Sequence, residues 1–350
     1  MSLIKRKKTK KIKIGSIAIG GNNPIAVQSM TKTFTSDVAS TVKQIKKLED
    51  AGCQIIRCAV PDEKSAYAIG KIKKEINIPL VADIHFDYKL AIIAAEMGAD
   101  KLRINPGNIG SVDRIKAVVS MAKERKIPIR VGVNSGSLEK KYKHPTPQAL
   151  VESALSNVNI LEKLGFYDIV VAVKSTSVPI TIEAYKLLSE KVDYPLHIGI
   201  TESGIPQVGI IKSSVGIGSL LSQGIGDTLR VSLTGDPQEE IRVGYEILKA
   251  LELVCKGVTI ISCPTCGRRG INIEKVAREI AKRTKDIIKP IKIAIMGCEV
   301  NGPGESKDAD VGLAGGKGMG VIFVKGKVVQ KVPETKMVDA LLNEIERLAK

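Results

Sequence analysis

Tryptophan is absent from this 350-residue chain, aromatic residues make up only 3%, and Asp and Glu number 37 against 54 Lys and Arg. Each shortage excludes something. With so few rings, the core has to be built from Ile, Val, Leu and Ala, the composition of buried parallel strands and the helices that cover them. Single-stranded nucleic-acid binding wants aromatic platforms, and no nucleic-acid-binding motif is present, so no nucleic-acid partner is expected. No apolar run is long enough to span a bilayer, so no membrane partner is expected. No secretory signal is visible, and a cytoplasmic location is the expectation. The acid deficit leaves a formal net charge of +17, which calls for an anion, either a substrate or an acidic partner. Part of that charge lies in residues 5–13, which read as a solvated arm.

What is present is alternation. Short β-branched runs at residues 25–30, 55–60, 79–84, 101–105, 128–134, 168–174, 196–201 and 228–234 are separated by amphipathic stretches such as 38–51, 64–76, 88–97, 112–125 and 149–164. Ser36 or Asp37, Asp62 and Ser111 are placed as N-caps, and Gly52, Gly98 and Gly165 as helix ends. Eight βα units in about 240 residues are the arithmetic of a (β/α)8 TIM barrel. The competing doubly wound sheet would carry a glycine-rich fingerprint after its first strand, and none follows Met30. A boundary is expected at residues 256 and 257, giving a barrel over 1–256 and a smaller α/β domain over 257–350. In that second domain, residues 312–320 read as a glycine-rich turn between strands, since they lack the Gly-Lys-Ser/Thr of a phosphate loop.

Nearly every barrel strand ends in polar groups that a buried strand should not carry. Gln28 ends the first, and Arg57 sits in the second. Asp83 and His85 end the third, Arg103 and Asn105 the fourth, Arg130 and Asn134 the fifth. Lys174, Glu202, and Arg230 with Ser232 mark the last three. In a barrel these ends converge on the face that holds the active site. Five cations (Arg57, Arg103, Arg130, Lys174, Arg230) opposite Asp83 and Glu202 make a bowl for a multiply charged anion, and planar Arg forks suit phosphate oxygens. His144, in a His-Pro-Thr-Pro loop, reads as a surface residue and His197 as strand packing.

The cysteines carry the second signal. Cys263 and Cys266 form a Cys-x-x-Cys turn stiffened by Pro264, and Cys298 follows the apolar run 291–296. A strand end there could bring Cys298 back to the pair. Three thiolates leave one corner of a four-coordinate site open. The three histidines lie far upstream, so a carboxylate on the loop Asn301-Gly302-Pro303-Gly304-Glu305 is the candidate for it. This suits an iron–sulfur cluster with one non-cysteine position better than a closed zinc site. A structural zinc module on a phosphate-binding barrel, acting as an aldolase or regulator, is the other reading. A thioredoxin-like pair would leave Cys298 unexplained. Cys53, Cys58 and Cys255 read as structural.

Five stretches together resemble the 4-hydroxy-3-methylbut-2-enyl diphosphate synthase family. They are Ser262-Cys263-Pro264-Thr265-Cys266-Gly267-Arg268, Gly297-Cys298-Glu299-Val300-Asn301-Gly302-Pro303-Gly304-Glu305, Val27-Gln28-Ser29-Met30-Thr31, Ala82-Asp83-Ile84-His85-Phe86 and Arg103-Ile104-Asn105-Pro106-Gly107-Asn108. The resemblance spans essentially the whole chain. It implies a TIM barrel followed by a domain like those of sulfite and nitrite reductases, and a [4Fe-4S] cluster on Cys263, Cys266, Cys298 and Glu305. It implies the substrate 2-C-methyl-D-erythritol 2,4-cyclodiphosphate in the basic bowl, reduced ferredoxin or flavodoxin as electron donor, and a homodimer in which one subunit's cluster domain closes over the other's barrel. In that setting Glu202 is the candidate for handling protons, and Asn301 for touching substrate.

Overall fold

The computed structural model describes residues 3–139, 141–267, 269–298, 308–316 and 318–350. It divides into two compact units, Met1–Val254 and Cys255–Lys350.

The first unit opens with a hairpin, β1 (Ile12–Ile14) and β2 (Ile17–Ile19), and continues as a barrel. Its strands are β3 (Ala26–Met30), β4 (Ile55–Ala59), β5 (Leu80–Asp83), β6 (Lys101–Ile104), β7 (Ile129–Asn134), β8 (Ile169–Lys174), β9 (His197–Ile198) and β10 (Thr228–Leu229). The order is β8-β7-β6-β5-β4-β3-β10-β9 with every pairing parallel, and a bridge from Val171 to Leu196 joins the two ends of that order. All eight expected strands are therefore present, the last two cut to two residues each. The helices are α1 (Val38–Asp50), α2 (Glu63–Glu75), α3 (Tyr88–Glu96), the short α4 (Pro106–Ile109), α5 (Val112–Arg125), α6 (Pro147–Lys163), α7 (Val178–Lys191), α8 (Pro206–Ser222) and α9 (Pro237–Ala250). Asp37 and Asp62 cap α1 and α2 by accepting from Ser40 N and Ser65 N at 3.1 and 2.7 Å. Ser111 precedes α5 without such a bond.

Alternation along the strands sorts the core. Outward residues such as Val27, Ile56, Ala82, Leu102, Val131 and Val171 pack against the helices. Inward residues at the strand starts (Ala26, Ile55, Val81, Val170) pack instead on Ile12, Ile14 and Ile19, so the hairpin plugs the N-terminal end of the barrel. This corrects the reading of residues 5–13 as a solvated arm. Arg6 pairs with Asp227 at 3.1 Å, Lys7 N donates to Gly224 O at 2.9 Å, and Lys10 N donates to Asp193 O at 2.7 Å. The lysines stand at the edges of a segment whose isoleucines are core.

The second unit is one sheet in the order β11 (Val258–Ser262), β12 (Ile291–Met296), β13 (Val311–Gly315), β14 (Met319–Val324) and β15 (Lys327–Pro333). β11, β12 and β13 run parallel, and the last three pair antiparallel. Helices α10 (Ile273–Arg283) and α11 (Met337–Ala349) cover one face through Ile273, Ile280, Met337, Leu341 and Ile345. Two expectations are corrected here. The glycine-rich stretch 312–320 does hold the turn between two strands, β13 and β14, but most of it is strand: a Cβ on Gly312 would lie 2.2 Å from the Phe323 ring, so glycine there makes room for a cross-strand aromatic. Cys255, read as structural with Cys53 and Cys58, lies past the end of α9 at Ala250 and is exposed, unlike the other two, which are buried.

Candidate active site

The barrel interior is charged. Arg57, Arg103, Arg130, Lys174 and Arg230 sit on five strands or just past their ends, and each side chain or residue is at most 15% exposed. Asp83, on β5, is the hub. Its carboxylate lies 3.0 Å from Arg103, 3.6 Å from Arg57 and 3.7 Å from the His85 ring. Burial alone would raise its pKa. The charge of Arg57, the neighbouring His85 ring, and the charges of Arg103 and Arg130 outweigh burial and hold the carboxyl well below its usual range. Arg103 also donates to Gly132 O at 3.3 Å, and a Cβ on Gly132 would lie 2.8 Å from Arg103 Nε. Glycine at that strand position is what lets the guanidinium lie flat across β7.

The cations are not balanced by these contacts. Burial pulls Arg57 down to about 10; Asp83 opposes that, and Arg230 and Arg103 add to it. Burial, then repulsion from Arg57 and Arg103, lowers Arg130 well below the usual arginine value. Lys174 is lowered by burial and by the arginines around it. Arg103 Nε, Arg130 Nε, Gln28 Nε2, Asn105 Nδ2 and His197 Nε2 are buried without a protein partner. A buried donor left unmatched costs about 1–3 kcal/mol, so a set of them on the strands and strand ends that carry these cations fits an anion with many acceptor oxygens.

The other predicted residues are distributed around this chamber. Asn105 caps α4, accepting from Gly107 N at 3.2 Å, and is buried. Asn134 ends β7 and Ser232 follows β10, both half-buried. His85 is half exposed, with both ring nitrogens within 3.2 Å of Arg103. His197 is buried and bonds Thr228 Oγ1 at 2.7 Å. Glu202 is exposed, with φ of 51°, on the loop after β9, and makes no ion pair among the described residues. The second acid of the chamber is instead Glu240, wholly buried on α9. It accepts from Ser29 Oγ at 3.0 Å and Leu233 N at 3.1 Å, and faces Arg230 at 3.5 Å and Lys32 at 3.4 Å.

In the second unit the parallel register pairs Ser262 with Ile295, so Cys263 and Cys298 both leave the same end of adjacent strands. Gly297 N donates to Cys263 Sγ at 3.3 Å. Amide-to-sulfur bonds of this kind stabilise metal-bound thiolates. Cys266 is exposed on the turn, where Thr265 takes φ of 45°. Among the described residues no three His, Cys, Asp or Glu side chains are gathered closely enough to hold a metal ion. Asn301 and Glu305 lie outside the described residues.

The GcpE TIM-barrel domain matches residues 9–245, and the GcpE protein C-terminal domain matches residues 259–347. The chain belongs to the GcpE family. A GcpE-family relative from Caldanaerobacter subterraneus subsp. tengcongensis, 4-hydroxy-3-methylbut-2-en-1-yl diphosphate synthase (flavodoxin), is 64% identical over 99% of this chain and 98% of its own length. The protein of the same name from Clostridium tetani is 61% identical over 98% of this chain and 99% of its own length. Among solved structures, Yersinia pestis dihydropteroate synthase aligns with a TM-score of 0.53 at 12% identity, over 69% of this chain and 98% of that one, a likeness of fold alone.

Within the GcpE barrel, two buried charges escape a reading of strand ends. Glu240 follows Glu239 in the first turn of α9, where an acid ordinarily complements the helix dipole at the surface. Lys101 opens β6, where a lysine reads as a strand's solvent-facing start, yet it is wholly buried. Met30, which ends β3, also meets these cations: its sulfur accepts from Arg57 Nε at 3.1 Å and lies 3.8 Å from an Arg230 nitrogen.

Proposed function

We propose that this chain is a flavodoxin-dependent 4-hydroxy-3-methylbut-2-enyl diphosphate synthase. It reduces 2-C-methyl-D-erythritol 2,4-cyclodiphosphate in isoprenoid biosynthesis. The observation that carries the reading is the barrel chamber itself: five cations, each at most 15% exposed, and several unmatched donors in a GcpE-family chain. In the reaction the ring C–O bond breaks, a neighbouring hydroxyl leaves as water, and a C=C bond forms. Two electrons and two protons enter. One proton accompanies the hydroxyl and the other balances the released phosphate oxygen.

The residues divide this work. Arg57, Arg103, Arg130, Lys174 and Arg230 bind the diphosphate and stabilise the charge that develops on the oxygen released from carbon. Asp83 holds Arg57 and Arg103 in place, and Glu240 holds Arg230. His85, Asn105, Asn134 and Ser232 supply hydrogen bonds around the substrate. Glu202, exposed beyond β9, serves the proton of the departing hydroxyl.

Cys263, Cys266 and Cys298, with Glu305, would hold a [4Fe-4S] cluster. When bound, the cluster supplies single electrons and a Lewis-acidic iron. A carboxylate in the fourth position is a harder and more displaceable ligand than thiolate. The donor is reduced flavodoxin, as the names of the relatives suggest, with ferredoxin the chemical equivalent. The working form is a homodimer. A zinc-bearing aldolase or regulator is not favoured, because the relatives are named as this synthase.

The test is anaerobic incubation of purified, reduced protein with the cyclic diphosphate, followed by phosphorus NMR. The open-chain diphosphate is expected. An unchanged substrate in the presence of an intact cluster and a competent reductant would contradict the reading.

A further inference from the structure

Lys101 lies two residues before Arg103 on β6, so both side chains point into the barrel. Its residue is wholly buried, and its ammonium nitrogen meets no hydrogen-bond acceptor. The charged and titratable groups that face this interior come from every neighbouring element. They are Arg57 on β4, Asp83 on β5, Arg103 on β6, Arg130 on β7, Lys174 on β8, His197 on β9 and Arg230 beyond β10. Glu240 stands behind Arg230, and Tyr185 of α7 donates to His197 O at 2.6 Å. The two acids are committed elsewhere, Asp83 to Arg57 and Arg103, and Glu240 to Arg230 and Lys32. Burial, and after it repulsion from Arg130 and Arg57, lowers Lys101 well below the usual lysine value.

An anion seated on Arg57, Arg103 and Arg130 neutralises the repulsion from Arg130 and Arg57 and adds an attraction that offsets the cost of burying a charge on Lys101. We propose that Lys101 is the proton-linked floor of the anion chamber: uncharged in the free protein, it takes up one proton from solvent when a diphosphate binds above it. This rests on the reading of the chamber as a diphosphate site. The sign follows from linkage: a proton gained on binding makes affinity fall as pH rises, by about tenfold per pH unit where the free form is neutral and the bound form charged.

The experiment uses oxidised holoprotein without an electron donor, so that nothing turns over. Two anions whose charge is fixed near neutral pH are titrated by calorimetry, the cyclic diphosphate and trimetaphosphate. Buffers of different ionisation enthalpy give the proton count. Lys101→Met keeps length and volume while removing the titrating group. Wild type is expected to take up about one proton more per bound anion than Lys101→Met, with an affinity that falls about tenfold more per pH unit. Reading the difference between the two proteins cancels any uptake by Lys174 or His197. Equal uptake in both proteins overturns the proposal. So does a pH-independent wild-type affinity, a result that needs no variant. Linkage with trimetaphosphate but no binding of the cyclic diphosphate upholds the role of Lys101 and removes the substrate assignment. Binding of neither anion removes both.

Discussion

Replacing Asp83 by Asn tests whether the chamber is held together by one buried carboxylate. The side chain is 5% exposed and stands 3.0 Å from Arg103 and 3.6 Å from Arg57. Asn keeps the shape and removes the charge, leaving two guanidinium groups without their acid. Breaking a buried pair from one side costs about 3–5 kcal/mol. For a unit of this size each kcal/mol moves the thermal midpoint by about 2–4 °C, so a fall of about 6–20 °C is expected. The pH dependence has a definite direction. Because the folded barrel holds the Asp83 carboxyl well below its usual range, its contribution is complete above the unfolded-state value of about 3.9 and is lost as pH falls below it. The gap between wild type and variant is therefore constant from neutral pH to about pH 5 and narrows under more acidic conditions. Thermal melts followed by circular dichroism across that range check it. Equal midpoints at neutral pH, or a gap that widens on acidification, would refute the reasoning.

Alanine at Arg57, Arg103, Arg130, Lys174 or Arg230 should weaken binding of the cyclic diphosphate by about 2–5 kcal/mol while iron content is unchanged. Normal Michaelis constants in all five variants would move the anion site elsewhere. Serine at Cys263, Cys266 or Cys298 should each cost the protein its iron and acid-labile sulfide, expected at about four of each per chain. Stoichiometric zinc without sulfide in anaerobically prepared protein would falsify the cluster assignment. Glu305→Cys should keep a cluster but slow turnover sharply, because thiolate yields an iron site less readily than carboxylate, and Glu305→Ala should give a labile cluster. Wild-type stability and rate in the alanine variant would leave Glu305 without a role at the metal.

The barrel was legible because its signal is redundant. Eight β-branched runs each recur with a helix, and caps such as Asp37 and Asp62 mark the starts. The chamber was legible where charge interrupts an apolar run, as at Arg57, Asp83 and Arg103. It was illegible where charge sits at an element's edge. Lys101 and Glu240 occupy positions that are solvent-facing in most proteins, and only closure of the barrel over one and packing of α9 against the other bury them. The N-terminal hairpin was hidden for the converse reason. Its lysines dominate the composition, while the three isoleucines that plug the barrel form runs too short to stand out. In the second unit the exit of Cys263 and Cys298 from the same end of adjacent strands followed from a single apolar run, whereas the strand through Gly312 and Gly315 was masked by residues chosen for what packs against them.

The central claim is that this chain reduces a cyclic diphosphate with electrons taken singly from a flavoprotein. The most direct measurement is the electron count. Fully reduced flavodoxin, oxidised protein and excess 2-C-methyl-D-erythritol 2,4-cyclodiphosphate are mixed anaerobically, and flavodoxin semiquinone and product are followed together. Two semiquinones are expected to appear for each 4-hydroxy-3-methylbut-2-enyl diphosphate formed. Product without flavodoxin oxidation, or flavodoxin oxidation without the open-chain diphosphate, would contradict the account.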